Sequence, residues 1–175
     1  MKHTPRISML CGLAFAGKTT LAKALAQRLN LPRVSIDEIN TMRGVGLNNA
    51  WITPEDWQIT YEESYRQLTH HLSAGRSVIF DTGNFTRGER DHVRAIAARH
   101  GANALIIHVT TPAQLVRARW QRNRLTRERN DIRDDYFAQG LAMFEPPAAD
   151  EQALRYSNEQ EVGTWLEEHR TFFLA

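Results

Sequence analysis

The sequence has little cysteine, little lysine and no long apolar run. Cys11 is the single cysteine, which excludes an intramolecular disulfide and a zinc site built from several cysteines. We therefore expect a protein of a reducing compartment, the cytoplasm. No apolar run approaches the roughly 20 residues that a membrane-spanning helix needs, so we expect no membrane partner.

Arginine supplies 19 of the 22 basic residues, and the three lysines are Lys2, Lys18 and Lys23. The formal net charge is only +2, which is too small for a protein whose main work is to neutralise a nucleic-acid backbone. The chain has 175 residues, of which 42% are hydrophobic. This composition predicts one globular domain over residues 1–175.

Short apolar runs alternate with longer amphipathic segments. This alternation predicts an α/β fold in which helices cover both faces of a parallel sheet and ligands bind at the carboxyl ends of the strands. The segment from Thr41 to Ile52 has no helical repeat and is interpreted as a loop. The predicted strands are residues 7–11, 33–36, 77–80, 104–109 and 154–156. The first predicted helix covers residues 18–29. Four further helices are predicted to begin at Thr53-Pro54, at Thr86 with Glu89, at Thr111-Pro112, and at Ser157 with Gln160. The last of these is expected to end near Phe172.

Residues 12–19 read GLAFAGKT and match the pattern G-x-x-x-x-G-K-[ST] between a predicted strand and a predicted helix. In such a loop, backbone amides and the N-terminus of the following helix bind phosphate oxygens. The alternative is an ordinary strand-turn-helix. We expect Lys18 to contact the β- and γ-phosphates of ATP, Thr19 to bind Mg²⁺, and Thr20 to meet the α-phosphate. The predicted nucleotide-binding residues of the loop are Gly12, Ala14, Phe15, Ala16, Gly17, Lys18, Thr19 and Thr20.

Two aspartates directly follow predicted strands. Asp81 follows the third strand, where a carboxylate can hold Mg²⁺; its alternative role is a cap or turn residue. Asp37 follows the second strand, across the cleft from the phosphate loop, and could accept the proton of an acceptor hydroxyl. Its alternative role is a helix N-cap or a surface acid. Asn84, Arg87 and Arg90 lie shortly after Asp81 and are candidates for binding the acceptor or a phosphate.

Seven arginines lie between Arg117 and Arg133. Guanidinium groups can clamp a transferring phosphoryl group, so we expect a lid at about residues 117–135 in which two or three arginines touch phosphate. An RNA-binding stripe is the rival interpretation, although Trp120 is the only aromatic residue interleaved with these arginines. The remaining arginines should form a solvated helix face or pair with nearby acids, namely Asp131, Asp134 and Asp135.

The motifs together resemble the small P-loop kinases that include chloramphenicol phosphotransferase, the zeta toxins and the kinase domain of polynucleotide kinases. The resemblance spans nearly the whole chain. It implies a three-layer α/β/α P-loop NTPase fold with a five-stranded parallel sheet of the adenylate-kinase kind. The segments that carry it are GLAFAGKTT at 12–20, SIDEI at 35–39, VIFDTGNFTRGER at 78–90, TTPAQLVRARWQRN at 110–123 and FEPPAADE at 144–151.

The same resemblance implies roles for particular residues. Asp37 matches the aspartate that acts as the acceptor base in such kinases. Arg43 lies six residues after Asp37, where the polynucleotide kinases and zeta toxins place an arginine a few residues after the base. Arg119 and Arg122 match the lid arginines that bind ATP. Further lid candidates are Arg124, Arg127 and Arg129.

We therefore expect an ATP- and Mg²⁺-dependent kinase that phosphorylates a hydroxyl group of a small molecule, such as an antibiotic, a nucleotide sugar or a similar metabolite. A polynucleotide 5′-hydroxyl kinase is the second hypothesis, because its motifs are nearly the same. The third is a nucleotide-binding switch or ATPase with no phosphorylated acceptor. A phosphate-binding loop is common to all three.

Overall fold

A single five-stranded sheet forms the centre of the computed structural model, which describes residues 4–47, 51–128 and 132–174. All neighbouring strands are parallel, in the order β2-β3-β1-β4-β5. The predicted α/β fold with a five-stranded parallel sheet is therefore confirmed. The strands are β1 (Arg6–Cys11), β2 (Arg33–Ser35), β3 (Val78–Asp81), β4 (Asn103–Thr110) and β5 (Leu154–Ser157).

Eight α-helices lie in the described part of the chain. Within it, none is both long enough and apolar enough to cross a membrane. A 3-10 turn at Ala149–Glu151 precedes β5. The helices are α1 (Lys18–Leu29), α2 (Ile36–Arg43), α3 (Pro54–Ser73), α4 (Arg87–Arg99), α5 (Ala113–Thr126), α6 (Asp134–Met143), α7 (Val162–Glu168) and α8 (Thr171–Leu174).

Successive strand residues point to opposite faces of the sheet, which divides the core into two layers. On one face, Leu10 of β1 belongs to a buried cluster with residues of α1, α5 and α7. On the other face, Met9 of β1 belongs to a cluster with residues of α3 and α4. Apolar residues on both faces explain why the strands read as continuous apolar runs.

The strand register brings three connecting segments to one edge of the sheet. Met9 of β1 lies opposite Phe80 of β3, and Ser35 of β2 lies opposite Asp81. Because all strands are parallel, the loop after β1, the helix start after β2 and the end of β3 meet at this edge.

Local capping signals predicted two helix starts correctly. The Thr53 hydroxyl accepts a hydrogen bond from the Asp56 amide, and Thr86 with Glu89 forms a complete capping box. The predicted cap at Ser157 is wrong: the Glu161 carboxylate caps α7 by accepting from the Thr164 amide. The predicted last helix is divided into α7 and α8, because α7 ends at Glu168.

Two helices were missed. Residues 41–43, predicted as loop, complete α2, which buries Ile39 and Asn40 and ends at the left-handed Gly44. Eight residues are too short for a clear helical period, so packing against α3 decides their conformation. Helix α6 lies after the arginine-rich segment and buries Phe137 against the ring of Trp120, 4.2 Å away.

Candidate functional site

The phosphate loop connects β1 to α1 and depends on two glycines. Gly12 has φ +151°, and a Cβ atom there would lie 2.8 Å from the Val109 carbonyl oxygen of β4. Gly17 has φ +99°, and a Cβ atom there would lie 2.7 Å from the Asn158 side-chain oxygen. Both positions combine a backbone conformation that favours glycine with a close approach. The loop at residues 12–19 is therefore built as the motif predicts.

The Lys18 ammonium group folds back over the start of this loop. Its Nζ atom donates to the carbonyl oxygens of Gly12 at 2.8 Å and Leu13 at 2.7 Å. Ala14, Phe15 and Gly17 line the adjoining cavity, whereas Ala16 is buried. Thr20 is exposed on the first turn of α1. The lysine is thus held at the mouth of a loop that ends in a helix N-terminus, a geometry suited to phosphate.

Thr19 and Asp81 lie side by side, and their assignment to magnesium stays a prediction. The Thr19 hydroxyl donates to Oδ1 of Asp81 at 3.4 Å, and Arg33 Nη1 donates to Oδ2 at 2.7 Å. Burial raises the pKa of Asp81, and the charges of Arg33 and Lys18 act in the opposite direction. The alternative role of Asp81 as a cap or turn residue does not describe these contacts, because Asp81 is the last residue of β3.

Asp37 lies in the first turn of α2, directly after β2. Its side chain is exposed, and the backbone carbonyl oxygen accepts a hydrogen bond from the Thr41 hydroxyl at 2.9 Å. The alternative role as an N-cap is wrong, because Ser35 occupies the cap position of α2. A helix of eight residues thus places the carboxylate at the edge of the sheet that also carries the phosphate loop.

One cavity of about 520 Å³ joins these groups. Its floor is the phosphate loop with Lys18 and Thr19, and Asp37 and Asp81 lie in its wall. Side chains from α3 and α6 and from the segment before α3 complete it. Carboxylates, a hydroxyl and an ammonium group converging on one cavity form a site that can bind a phosphate ester next to a second molecule.

The two predicted lid arginines lie on α5, outside the lining of this cavity. Arg119 Nη1 donates to the carbonyl oxygens of Phe15 at 3.2 Å and Ala16 at 3.4 Å. Arg122 is exposed. Arg119 therefore lies against the outer side of the phosphate loop, and the assignment of both residues to ATP stays a prediction.

Other arginines of this segment pair with acids, as the sequence indicated. Arg124 binds Asp134 and lies over the Trp120 ring at 4.3 Å. Arg133 binds Asp135 at 2.6 Å. Arg129 and Asp131 lie outside the described residues.

Three predicted substrate-binding side chains are engaged with the protein framework. Arg43 donates to the Asp56 carbonyl at 2.8 Å and to the Thr60 hydroxyl. The Asn84 side-chain amide is buried and donates to the Leu10 carbonyl at 2.7 Å. Arg87 pairs with Asp150 at 2.6 Å. None of the three is among the described residues that line the cavity, so their role in substrate binding stays a prediction.

Sequence reasoning missed Arg33, and it offered Arg90 only as a candidate for binding the acceptor or a phosphate. Arg33, at the start of a buried strand, binds both Asp81 and Glu38. Arg90 is buried on α4 and donates twice to Glu151, at 2.9 and 2.7 Å, and also to the carbonyl oxygens of Asn84 and Glu145. A charged residue on a buried strand or helix face needs a partner of opposite charge. An arginine within an otherwise apolar strand or helix face was therefore the feature of the sequence that could have indicated these pairs.

The comparisons with known proteins concern the family and the fold of the chain. A family model described as an AAA domain matches residues 7–147. No curated protein sequence matches the chain. Kti12 from Chaetomium thermophilum in complex with ADP-AlF3 is 17% identical, with a TM-score of 0.78 over 98% of this chain and 100% of that chain.

Two solved kinases are also similar in fold. A sugar kinase from Janibacter sp. HTCC2649 is 20% identical, with a TM-score of 0.68 over 99% of this chain and 96% of that chain. A gluconokinase from Sinorhizobium meliloti 1021 is 14% identical, with a TM-score of 0.65 over 99% of this chain and 93% of that chain. At these identities the similarity shows the fold, which is that of a small P-loop, kinase-like domain.

Proposed function

Because this chain belongs to the AAA domain family, we propose that it is an ATP- and Mg²⁺-dependent phosphotransferase that moves the γ-phosphate to a hydroxyl group of a small molecule. The position of Asp37 carries this proposal. Its carboxylate lines the same cavity as Lys18 and Thr19, and it follows the strand β2 at the sheet edge shared with the phosphate loop. A plain nucleotide-binding site needs no exposed carboxylate at this place.

The phosphate loop and its lysine are assigned to ATP. The amides around residues 14–19 bind the phosphate oxygens, and Lys18 leaves the carbonyl oxygens of Gly12 and Leu13 for the β- and γ-phosphates. Arg119 lies on the outer side of the phosphate loop, where it contacts the loop carbonyl oxygens. Arg119 and Arg122 are the proposed lid cations. In this proposal the guanidinium groups leave these positions when ATP binds and stabilise the charge that develops on the transferring phosphoryl group.

The residues present fit a magnesium ion. Mg²⁺ is usually held by one or two protein oxygens together with phosphates and water, and the adjacent Thr19 hydroxyl and Asp81 carboxylate provide such oxygens. The described residues contain no group of three or more His, Cys, Asp and Glu that could hold a metal alone, in line with an ion that arrives with ATP. When bound, the ion neutralises phosphate charge and orients the γ-phosphate.

Asp37 is the proposed general base. Its carboxylate accepts the proton of the acceptor hydroxyl while the oxygen forms a bond to the γ-phosphorus. The bond from that phosphorus to the β–γ bridging oxygen breaks, and ADP leaves with the electron pair. The carboxylate also orients the hydroxyl in line with the leaving group.

The test is Asp37→Asn, which keeps the size of the side chain but replaces the basic carboxylate with an amide. We expect the transfer rate to fall by about 10²–10⁴-fold, while binding of a fluorescent ATP analogue is unchanged. Glu55→Gln, which alters an exposed carboxylate in the first turn of α3, is the matched control and should retain activity. Loss of ATP binding and transfer together in Asp37→Asn would contradict the assigned role.

The acceptor is sought by incubating the protein with γ-labelled ATP and a panel of metabolites and antibiotics. Label on a small molecule supports the proposal. Label on a 5′-hydroxyl oligonucleotide alone would instead identify a polynucleotide kinase, and release of phosphate with no labelled acceptor would identify an ATPase or nucleotide switch.

A further inference from the structure

The carbonyl oxygen of Ala16, on the outer side of the phosphate loop, accepts hydrogen bonds from three other segments of the chain. The Thr111 hydroxyl, directly after β4, donates to it at 2.8 Å. The side-chain amide of Asn158, directly after β5, donates to it as well. Arg119 Nη1 donates to it from α5 at 3.4 Å. One carbonyl group therefore joins the loop to the ends of two strands and to a helix.

The strand register explains why Thr111 and Asn158 lie side by side. Thr110, the last residue of β4, lies opposite Ser157, the last residue of β5. The Thr110 hydroxyl also donates to the Tyr156 carbonyl oxygen at 3.1 Å. Because the two strands are parallel, the residues that follow them emerge together at the edge of the sheet that carries the phosphate loop.

The donors and acceptors of this network match in number. The Asn158 amide has two N–H groups, one for the Ala16 carbonyl oxygen and one for the Thr111 hydroxyl oxygen. The Thr111 hydroxyl accepts from Asn158 and donates its own hydrogen to Ala16. A carbonyl oxygen has two lone pairs, so Thr111 and Asn158 are enough to satisfy it. The longer contact from Arg119 is the one that Ala16 can lose when the guanidinium group turns to ATP.

The direction of the Ala16 carbonyl fixes the direction of the Gly17 amide. The peptide bond between the two residues is trans, so its C=O and N–H groups point in opposite directions. The carbonyl points to Thr111 and Asn158, and the N–H group points away from them, to the side on which Gly17 lines the cavity. Within the described part of the chain, no backbone carbonyl accepts from this amide, which leaves it for a ligand.

Asn158 also packs directly on Gly17. A Cβ atom at residue 17 would lie 2.7 Å from Oδ1 of Asn158 and 3.2 Å from Nδ2. Glycine is therefore what allows the Asn158 side chain to reach the Ala16 carbonyl. That hydrogen bond spans 142 positions of the chain, so the motif of the phosphate loop does not itself specify it.

We infer that Thr111 and Asn158 are positioning residues for the phosphates of ATP. By holding the Ala16 carbonyl outward, they keep the Gly17 amide aimed at a phosphate oxygen. A hydrogen bond from an amide to a charged oxygen is strong only when it is well aligned, and without its two donors the peptide group is free to rotate. The inference rests on the proposed function for its ligand, but it needs only nucleotide binding and no transfer.

The test measures ADP binding by isothermal titration calorimetry. Asn158→Ala and Thr111→Val should each raise the Kd of ADP by about tenfold, the equivalent of one hydrogen bond to a charged group. The KM of ATP should rise in parallel with kcat nearly unchanged, because the amide holds the phosphates equally in the ground state and the transition state. Thr111→Ser retains the hydroxyl and should bind ADP like the parent protein. Asn103→Ala, at an exposed position at the start of β4, is the matched control for Asn158→Ala and should also bind ADP normally.

The double variant Asn158→Ala/Thr111→Val tests whether both residues act through the same carbonyl. We expect it to raise the Kd of ADP by less than the product of the two single effects. The reason is that the second change removes a hydrogen bond from a peptide group that the first change has already released. Independent, multiplicative effects would contradict a shared action on Ala16.

Inorganic pyrophosphate separates phosphate contacts from contacts to the nucleoside. It carries no base or ribose, so Asn158→Ala should weaken its binding by the same factor as that of ADP. Weakened ADP binding with unchanged pyrophosphate binding would show that Asn158 touches the nucleoside instead, and would overturn the inference. Urea unfolding without nucleotide is the second readout: a variant that unfolds earlier but binds ADP like the parent protein has lost only a structural contact, which also overturns it.

The outcomes separate this inference from the proposed function. If the variants weaken ADP binding while no acceptor is phosphorylated by the parent protein, the positioning role stands and the proposed transfer fails. If the parent protein transfers phosphate and the variants bind ADP normally, the proposed function stands and the positioning role fails. A parent protein that binds neither ADP nor pyrophosphate overturns both.

Discussion

The Arg33 guanidinium donates to Asp81 at 2.7 Å and to Glu38 at the same time. Both the arginine and the aspartate side chains are nearly buried, with 10% and 3% of their surfaces exposed. Arg33 thus favours the charged form of a carboxylate in a place where burial favours the neutral form. It is a positioning residue for the proposed magnesium ligand.

We predict that Arg33→Met moves the acidic limb of the activity profile to higher pH. The pKa of Asp81 is already raised by burial, so the carboxylate takes up a proton at a higher pH than a free aspartate. Removal of the opposing charge raises this pKa further. Activity that needs the ionised form of Asp81 is then lost at a higher pH than in the parent protein. The measurement is kcat against pH.

Arg33→Lys keeps the positive charge, so its profile of kcat against pH should stay close to that of the parent protein. Arg28→Met removes an exposed arginine paired with Glu161 and should leave it unchanged. An acidic limb that does not move in Arg33→Met would show that Arg33 does not control the ionisation of Asp81.

A second prediction concerns the hydroxyl beside Asp81. Thr19→Val removes an oxygen of the proposed magnesium site and should lower kcat by about 10²-fold, the usual effect of losing one electrostatic contact at the reacting phosphates. The Mg²⁺ concentration for half-maximal rate should rise. Thr19→Ser retains the hydroxyl and is the matched variant. If the serine and valine variants behave alike, the hydroxyl has no part in metal binding.

A third prediction concerns the start of the phosphate loop. Gly12→Ala forces a Cβ atom to within 2.8 Å of the Val109 carbonyl oxygen at φ +151°. We expect the free energy of unfolding in urea to fall by about 1–3 kcal/mol and nucleotide binding to weaken. Gly75→Ala introduces a left-handed alanine at φ +68° with open space around it. It should cost only about 1–2 kcal/mol and leave nucleotide binding intact, and equal loss of binding in both variants would contradict this account.

A fourth prediction concerns the buried Arg90–Glu151 pair, whose side chains are each 1% exposed. Hydrogen bonds from Arg90 are the main reason that the pKa of Glu151 is lowered to about 2 from its ordinary 4.5. A lowered pKa stabilises the fold above pH 4.5, and this stabilisation is lost as the pH falls from there towards 2. Acid unfolding should therefore show a contribution from Glu151 in that range.

Glu151→Gln leaves Arg90 buried without a counter-charge and should lower the free energy of unfolding by about 3–5 kcal/mol at pH 7. The difference from the parent protein should shrink below pH 4.5, because the parent loses the same interaction there. Glu159→Gln, at an exposed position, should give a curve parallel to that of the parent. A difference that stays constant down to pH 2 would exclude ionisation of Glu151 as its cause.

Much of the molecule is determined by short stretches of sequence. The phosphate loop, the strand–helix alternation and the caps at Thr53 and Thr86 depend on residues within a few positions of each other, and all were predicted. Parallel topology then brings the segments after β1, β2 and β3 to one edge, so the meeting of Lys18, Asp37 and Asp81 also follows from the pattern.

Only the tertiary structure decided the partners of the buried charges and the walls of the cavity. Arg33 and Asp81 are 48 positions apart, and Arg90 and Glu151 are 61 apart. No local periodicity selects one acid among many for such a pair. The contact between Trp51 and Tyr136 likewise depends on long-range packing, since α6, which carries Tyr136, packs its Phe137 against Trp120. The sequence thus determines the loop that we propose for phosphate, and long-range packing decides the rest of the cavity wall.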